Sequence, residues 1–165
     1  MNEPTTQFRD ILRTLIEADV QFILIGGLAA IVHGTERATL DVDVVYDRGD
    51  DNFRRLAAAL KPHQPYLRGA PGGLPFSWDE STIRGGLNFT LSTSLGALDL
   101  FGEVPGGGAY ADLLPYSEEV PMFDVLCRCV TLERLIQLKR AAGRPKDMEV
   151  IAELQALLED RRGWP

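Results

Sequence analysis

Basic charge is in short supply in this chain: its 165 residues carry 17 Lys and Arg against 24 Asp and Glu, a formal net charge of -7. That balance argues against broad electrostatic attraction to nucleic acid or to anionic lipid, although it leaves room for a local basic patch. Long apolar runs are absent too, and none reaches the roughly 20 residues of a membrane span. The N-terminal stretch is polar, with neither the basic segment nor the apolar segment of a secretory signal. These absences predict a soluble cytoplasmic protein with no membrane partner. Cysteine is limited to Cys127 and Cys129, placed at i and i+2 in a segment that reads as a strand. Neighbours so placed rarely form a disulfide, and two thiols without companion His or Cys make a poor zinc site, so reduced, partly buried side chains are expected. There is no internal repeat and no extended low-complexity tract. Gly106-Gly107-Gly108 reads as a flexible connector and does not resemble a phosphate-binding loop opening a helix.

What is present is a core: 45% apolar residues in a chain of this length suit one domain, over residues 1–165. Phe8, Ile11, Leu12, Leu15 and Ile16 recur at helical spacing and predict an amphipathic first helix. Residues 20–25 form a short apolar run that stops at Gly26-Gly27, hence a buried strand ending in a turn. Residues 28–33 read as one or two helical turns closed by Gly34. A second strand covers 40–46, with Leu40, Val42 and Val44 expected to point into the core. A helix over 51–60 follows, its apolar side made by Phe53, Leu56, Ala57 and Leu60.

Residues 61–86 hold four prolines and a Gly-Gly pair, which predicts a long irregular segment crossed by a short extended piece around 77–83. Within it, Phe76 and Trp78 read as aromatics closing the loop over the core rather than as a platform for a base. Residues 87–92 and 97–101 form a hairpin candidate, and 124–130 a further strand. Thr131 suits the N-cap of a helix carrying Leu132, Leu135, Ile136 and Lys139, and Gly143 suits its end. Pro145 then fits the first position of a last helix reaching about residue 160, with Met148, Ile151, Leu154 and Leu158 inward. The expected fold class is α/β (α+β): a small mixed sheet of about five strands flanked by helices, with 1–130 as the α/β core and 131–165 as a C-terminal helical pair.

The most informative pattern is Ile25-Gly26-Gly27 followed by Asp41-Val42-Asp43. Side chains alternate along a strand, so Asp41 and Asp43 share a face, about 6 to 7 Å apart. Two hard oxygen ligands at that spacing, just beyond a glycine turn, can hold Mg²⁺ against the phosphates of a nucleotide. Taken alone, Asp-x-Asp is common in turns and solvated edges; the upstream glycines and the strand placement make it a site.

These residues resemble the signature of the polymerase-β-type nucleotidyltransferases, a hydrophobic residue and Gly-Gly or Gly-Ser, then Asp-x-Asp on the next strand. His33-Gly34 and Arg37-Ala38-Thr39 resemble the subgroup containing minimal and abortive-infection toxin nucleotidyltransferases. The third carboxylate of the family matches Asp99 in Ala97-Leu98-Asp99-Leu100-Phe101. The segment from Leu138 through Lys139, Arg140, Arg144 and Lys146 to Asp147 is similar to the basic, Asp-ending segment of toxin-type members.

The resemblance implies a nucleotidyltransferase fold and a Mg²⁺- or Mn²⁺-dependent enzyme that moves NMP from an NTP such as ATP to a hydroxyl, releasing pyrophosphate. Asp41, Asp43 and Asp99 would be the catalytic metal ligands, with Asp99 helping to deprotonate the attacking hydroxyl. Gly26 and Gly27 would let backbone approach the triphosphate, and Arg37, Lys139, Arg144 and Asp147 would contact the nucleotide. Each has a plainer alternative: Arg37 pairing with Asp41 or Asp43, His33 as a packing residue, Lys139 and Arg140 as cations complementing a helix C-terminus. For the acceptor, the toxin-like segment suggests tRNA or a protein, in a toxin-antitoxin pair with an antitoxin partner. The short length and the glycine-to-aspartate spacing suit a small-molecule (aminoglycoside- or lincosamide-type) antibiotic nucleotidyltransferase. A non-catalytic nucleotide-binding regulatory subunit is the alternative of another class. A partner or a homodimer could supply the wall that a larger C-terminal domain provides in toxin-type members.

Overall fold

Apolar residues spaced three and four apart build the first helix, α1 (Phe8–Glu17), which buries Ile11, Leu12 and Leu15. In the computed structural model, which describes residues 5–163, the apolar run after it becomes β1 (Phe22–Ile25), buried on both faces. Trp164 and the first four residues of the polar N-terminal stretch lie outside the described residues. The helix α2 (Gly26–His33) begins on the first of the paired glycines rather than two residues later, and Gly34 closes it at a φ of 121°. Next come β2 (Asp41–Tyr46) and α3 (Asp50–Leu60), whose buried Phe53, Leu56, Ala57 and Leu60 are the expected apolar side.

Residues 61–86 hold more order than their prolines suggest. A 3-10 turn (Lys61–His63) leads into the short strand β3 (Tyr66–Leu67), and the segment expected to be extended around 77–83 is instead α4 (Glu80–Gly85). The reason is local: the Asp79 carboxylate accepts a hydrogen bond from the Thr82 N–H at 2.8 Å, an N-cap that starts a helix. Trp78 is buried, edge-on to Phe89 and donating to the Leu56 carbonyl, so it closes the loop over the core.

The hairpin forms as β4 (Asn88–Thr93) and β5 (Gly96–Phe101). The triple glycine does not remain a loose connector; it turns a two-stranded ribbon, β6 (Glu103–Val104) and β7 (Gly108–Ala109). A short α5 (Tyr110–Leu113) precedes β8 (Ser117–Met122), which pairs with β9 (Val125–Val130) through a turn with positive φ at Phe123 and Asp124. Both thiols on β9 are fully buried and unpaired, and burial pushes each up to about 12. The chain ends in α6 (Leu132–Ala142), capped by Thr131, and α7 (Pro145–Arg162). Gly143 joins them in the left-handed conformation at a φ of 65°.

The main sheet has seven strands in the order β3-β4-β5-β2-β1-β9-β8, where the sequence suggested about five. Its centre is mixed: β2 runs parallel to β5 and antiparallel to β1, and β1 runs parallel to β9. Helix α1 lies against β2, β5, β9 and α3, while α2 packs on α6 and α7. Two expected core residues are outside it. Leu40 precedes β2 and is 83% exposed, and Met148 on α7 is 65% exposed, while Ile151 and Leu154 face inward. Among the described residues no helix is long and apolar enough to cross a membrane.

Candidate active site

Sheet register brings the carboxylates together. On β2 and β5, Asp43 lies opposite Asp99 and Asp41 opposite Ala97, while Ile25 at the end of β1 lies opposite Asp43 on the other side. Because alternate residues share a face, all three aspartates project from one side of the sheet, while Val42, Val44, Leu98 and Leu100 fill the core on the other. One oxygen from each carboxylate lies within 4.8 Å of the others.

Such crowding is unfavourable for three bare anions. Burial, followed by the charges of Asp41 and Asp99, raises the Asp43 carboxyl to about 8. Burial raises Asp99 as well, opposed by the guanidinium of Arg68, with which it forms an ion pair. The Asp43 Oδ1 atom is buried and has no hydrogen-bond partner among the described residues. A converging set of hard oxygen donors, one of them orphaned, fits a divalent cation of the Mg²⁺ or Mn²⁺ type.

The glycines are there because of these aspartates. Gly26 has a φ of 69°, and a Cβ built on it would fall 2.1 Å from Asp43 Oδ2; one on Gly27 would fall 2.7 Å from Thr39 Oγ1. Without side chains at either position, the first turn of the eight-residue α2 seats directly on the carboxylate strand. Its unpaired N–H groups and positive dipole end lie at the same place, a favourable setting for an anion.

Ile25, Gly26, Gly27 and the three aspartates open onto a cavity of about 650 Å³ whose far wall is the α6–α7 junction. Lys139, Arg144, Lys146 and Asp147 are on that wall, so the basic cluster of an acidic chain faces the carboxylates. Asp147 is the third residue of α7 and accepts from the Arg144 backbone N–H; its carboxylate also lies 2.9 Å from Arg144 Nε and 3.8 Å from Lys139 Nζ. Burial lowers Lys139, partly offset by Asp147. Arg140 is exposed and is not among the lining residues.

Arg37 borders the cavity, but its guanidinium pairs with Glu149 and Glu153 of α7 at 3.2 and 3.0 Å, and not with Asp41 or Asp43. His33 is a packing residue: it is buried, its Nε2 lies 2.8 Å from the Val130 carbonyl, and Arg161 covers its Nδ1. Arg68 is the site residue that sequence reasoning missed. It lies in a proline-rich segment with no periodicity, and only the pairing of β3 with β4 carries it to Asp99.

Several solved structures share this fold. The lincosamide antibiotic adenylyltransferase LnuA, crystallised with lincomycin bound, matches with a TM-score of 0.63 at 17% identity, over 95% of this chain and 99% of that one. A Thermotoga maritima protein proposed to be a nucleotidyltransferase matches with a TM-score of 0.57 at 15% identity, over 90% of each chain. No protein-family model matches the sequence, and no curated protein matches it. The chain has the nucleotidyltransferase fold.

Proposed function

We propose that this protein is a metal-dependent nucleotidyltransferase that moves NMP from an NTP to a hydroxyl acceptor. The observation that carries the reading is the convergence of Asp41, Asp43 and Asp99, with an orphaned oxygen on Asp43, at the mouth of a cavity walled by cations. Asp41, Asp43 and Asp99 would hold Mg²⁺ or Mn²⁺, which when bound offsets charge on the phosphate oxygens. The remaining work falls to the chain. Lys139, Arg144 and Lys146 neutralise the triphosphate, Asp147 fixes the first two, and the N–H groups opening α2 donate to phosphate oxygens. Arg37, clamped to α7, borders the nucleotide. Asp99, oriented by Arg68, accepts the proton of the acceptor hydroxyl as its oxygen bonds to the α-phosphorus and the bond to the β-phosphate oxygen breaks, releasing pyrophosphate.

The toxin-like segment from Leu138 to Asp147 supports tRNA or a protein as acceptor, with an antitoxin as partner. The likeness to LnuA, end to end in both chains, supports a small molecule. Either way, Asp41→Asn should lower Mg²⁺-dependent pyrophosphate release by about 10²-fold or more, with circular dichroism unchanged. Undiminished turnover in that variant sinks the reading. A purely regulatory nucleotide-binding subunit would instead gain thermal stability from Mg²⁺ and NTP and release no pyrophosphate.

A further inference from the structure

A second cavity, of about 490 Å³, lies beside the first, and the two share Thr39 and Asp41. From this pair of cavities we infer that the acceptor is a drug-sized, polyhydroxylated small molecule without phosphates, seated in the second cavity; the inference rests on the nucleotidyl-transfer reading. The charge distribution divides the roles. Lys139, Arg144 and Lys146 border the first cavity, whereas among the described residues the second has a single cation, Arg68, whose charge Asp99 already neutralises. A triphosphate therefore belongs in the first. A nucleic-acid acceptor, which needs cations along its backbone, finds none free in the second.

The floor of the second cavity is set by register. Ser92 on β4 lies opposite Ala97 on β5, which lies opposite Asp41 on β2, and neighbouring strands are about 4.8 Å apart. These residues occupy the same sheet face as Asp43 and Asp99. With only a methyl group at Ala97, a ligand can lie flat on this face and bring one hydroxyl up to Asp41 and Asp99, bounded at the far end by Thr6, which fills the space beside Gly96. Ser92 and Thr39 offer hydroxyls to a polar ligand, and Phe8 and Leu40 supply an apolar edge. The exposure of Leu40, out of place for a core residue, puts an apolar contact at the rim. The volume lies within the range of roughly 300 to 1,000 Å³ that holds small organic ligands.

The test uses the full chain with Mg²⁺ and the four α-labelled NTPs, offered two acceptor pools. One contains hexoses, aminocyclitol glycosides and lincomycin; the other contains total tRNA and cell protein. Label is expected on a member of the first pool. Ser92→Phe and Ala97→Leu, each shown folded by its melting transition, should cut that labelling at least tenfold. Label on tRNA or protein overturns the acceptor assignment and leaves nucleotidyl transfer standing. So does small-molecule labelling that both filling variants leave untouched. No label in either pool, with no pyrophosphate released, overturns both readings together.

Discussion

Burial and two neighbouring carboxylates raise Asp43 to about 8 from an ordinary 3.8, which turns a structural detail into a stability argument. A carboxyl raised on folding contributes stability that is fully present below its unfolded value and is lost as pH rises through the folded one. The metal-free protein should therefore lose stability on this account between about pH 4 and pH 8, and Asp43→Asn, which cannot ionise, should not. In EDTA near pH 8 the Asn variant should melt about 3 °C or more above the parent, since one pKa unit is worth ~1.4 kcal/mol. At about pH 4 and below the two should converge. Added Mg²⁺ should raise the melting temperature of the parent alone, because binding removes the last proton and relieves the crowding. A variant no more stable than the parent at high pH would contradict the crowding of the three aspartates. Gly26→Ala tests the same place sterically: its methyl meets Asp43 Oδ2 and its φ is left-handed, so the Mg²⁺-induced rise in melting temperature should be lost.

Elements differ in how far local sequence determines them, and that sets what could be read beforehand. α1, α3 and α6 carry their caps or apolar faces in plain periodicity, and β2 shows its site in Asp-x-Asp, so these were legible. Strand β8 was not: Ser117–Met122 is an edge strand with no residue fully buried, so no alternation marks it. β3 is two residues long, and its ladder to β4 is a tertiary fact; with it went Arg68, the partner of Asp99. Arg37 was legible as a cation near the site, but its partners lie over a hundred residues away on α7. α4 was misread because Asp79, its cap, follows a run dominated by prolines and glycines, although the cap itself stands in the sequence. Removing that cap with Asp79→Ala should cost about 1 kcal/mol, a fall of roughly 2 to 4 °C in melting temperature. Because α4 packs on α3 and stands apart from the carboxylates, Mg²⁺-dependent pyrophosphate release should remain within about twofold at temperatures below the transition.

At the scale of the molecule, dividing the sequence at residue 130 separates things that the structure joins. Leu135, Ile136 and Leu138 of α6, and Ile151 and Leu154 of α7, belong to the same continuous core as β1, β2 and α2. The two halves also share the larger cavity, whose carboxylates come from the sheet and whose cations, Arg37 apart, come from α6, α7 and their junction. A core so shared should unfold as one unit. In guanidinium the loss of far-UV dichroism and the shift in tryptophan emission are expected to coincide, and Mg²⁺ with ATP should move both to higher denaturant together. The fragment 1–130 should fail to give a cooperative transition, because it exposes the apolar surface of α2 that the C-terminal pair covers. Were that fragment to fold and bind Mg²⁺ as tightly as the full chain, the C-terminal pair would be an appendage to the carboxylate site. It could then not be the wall that the proposed function assigns to the triphosphate.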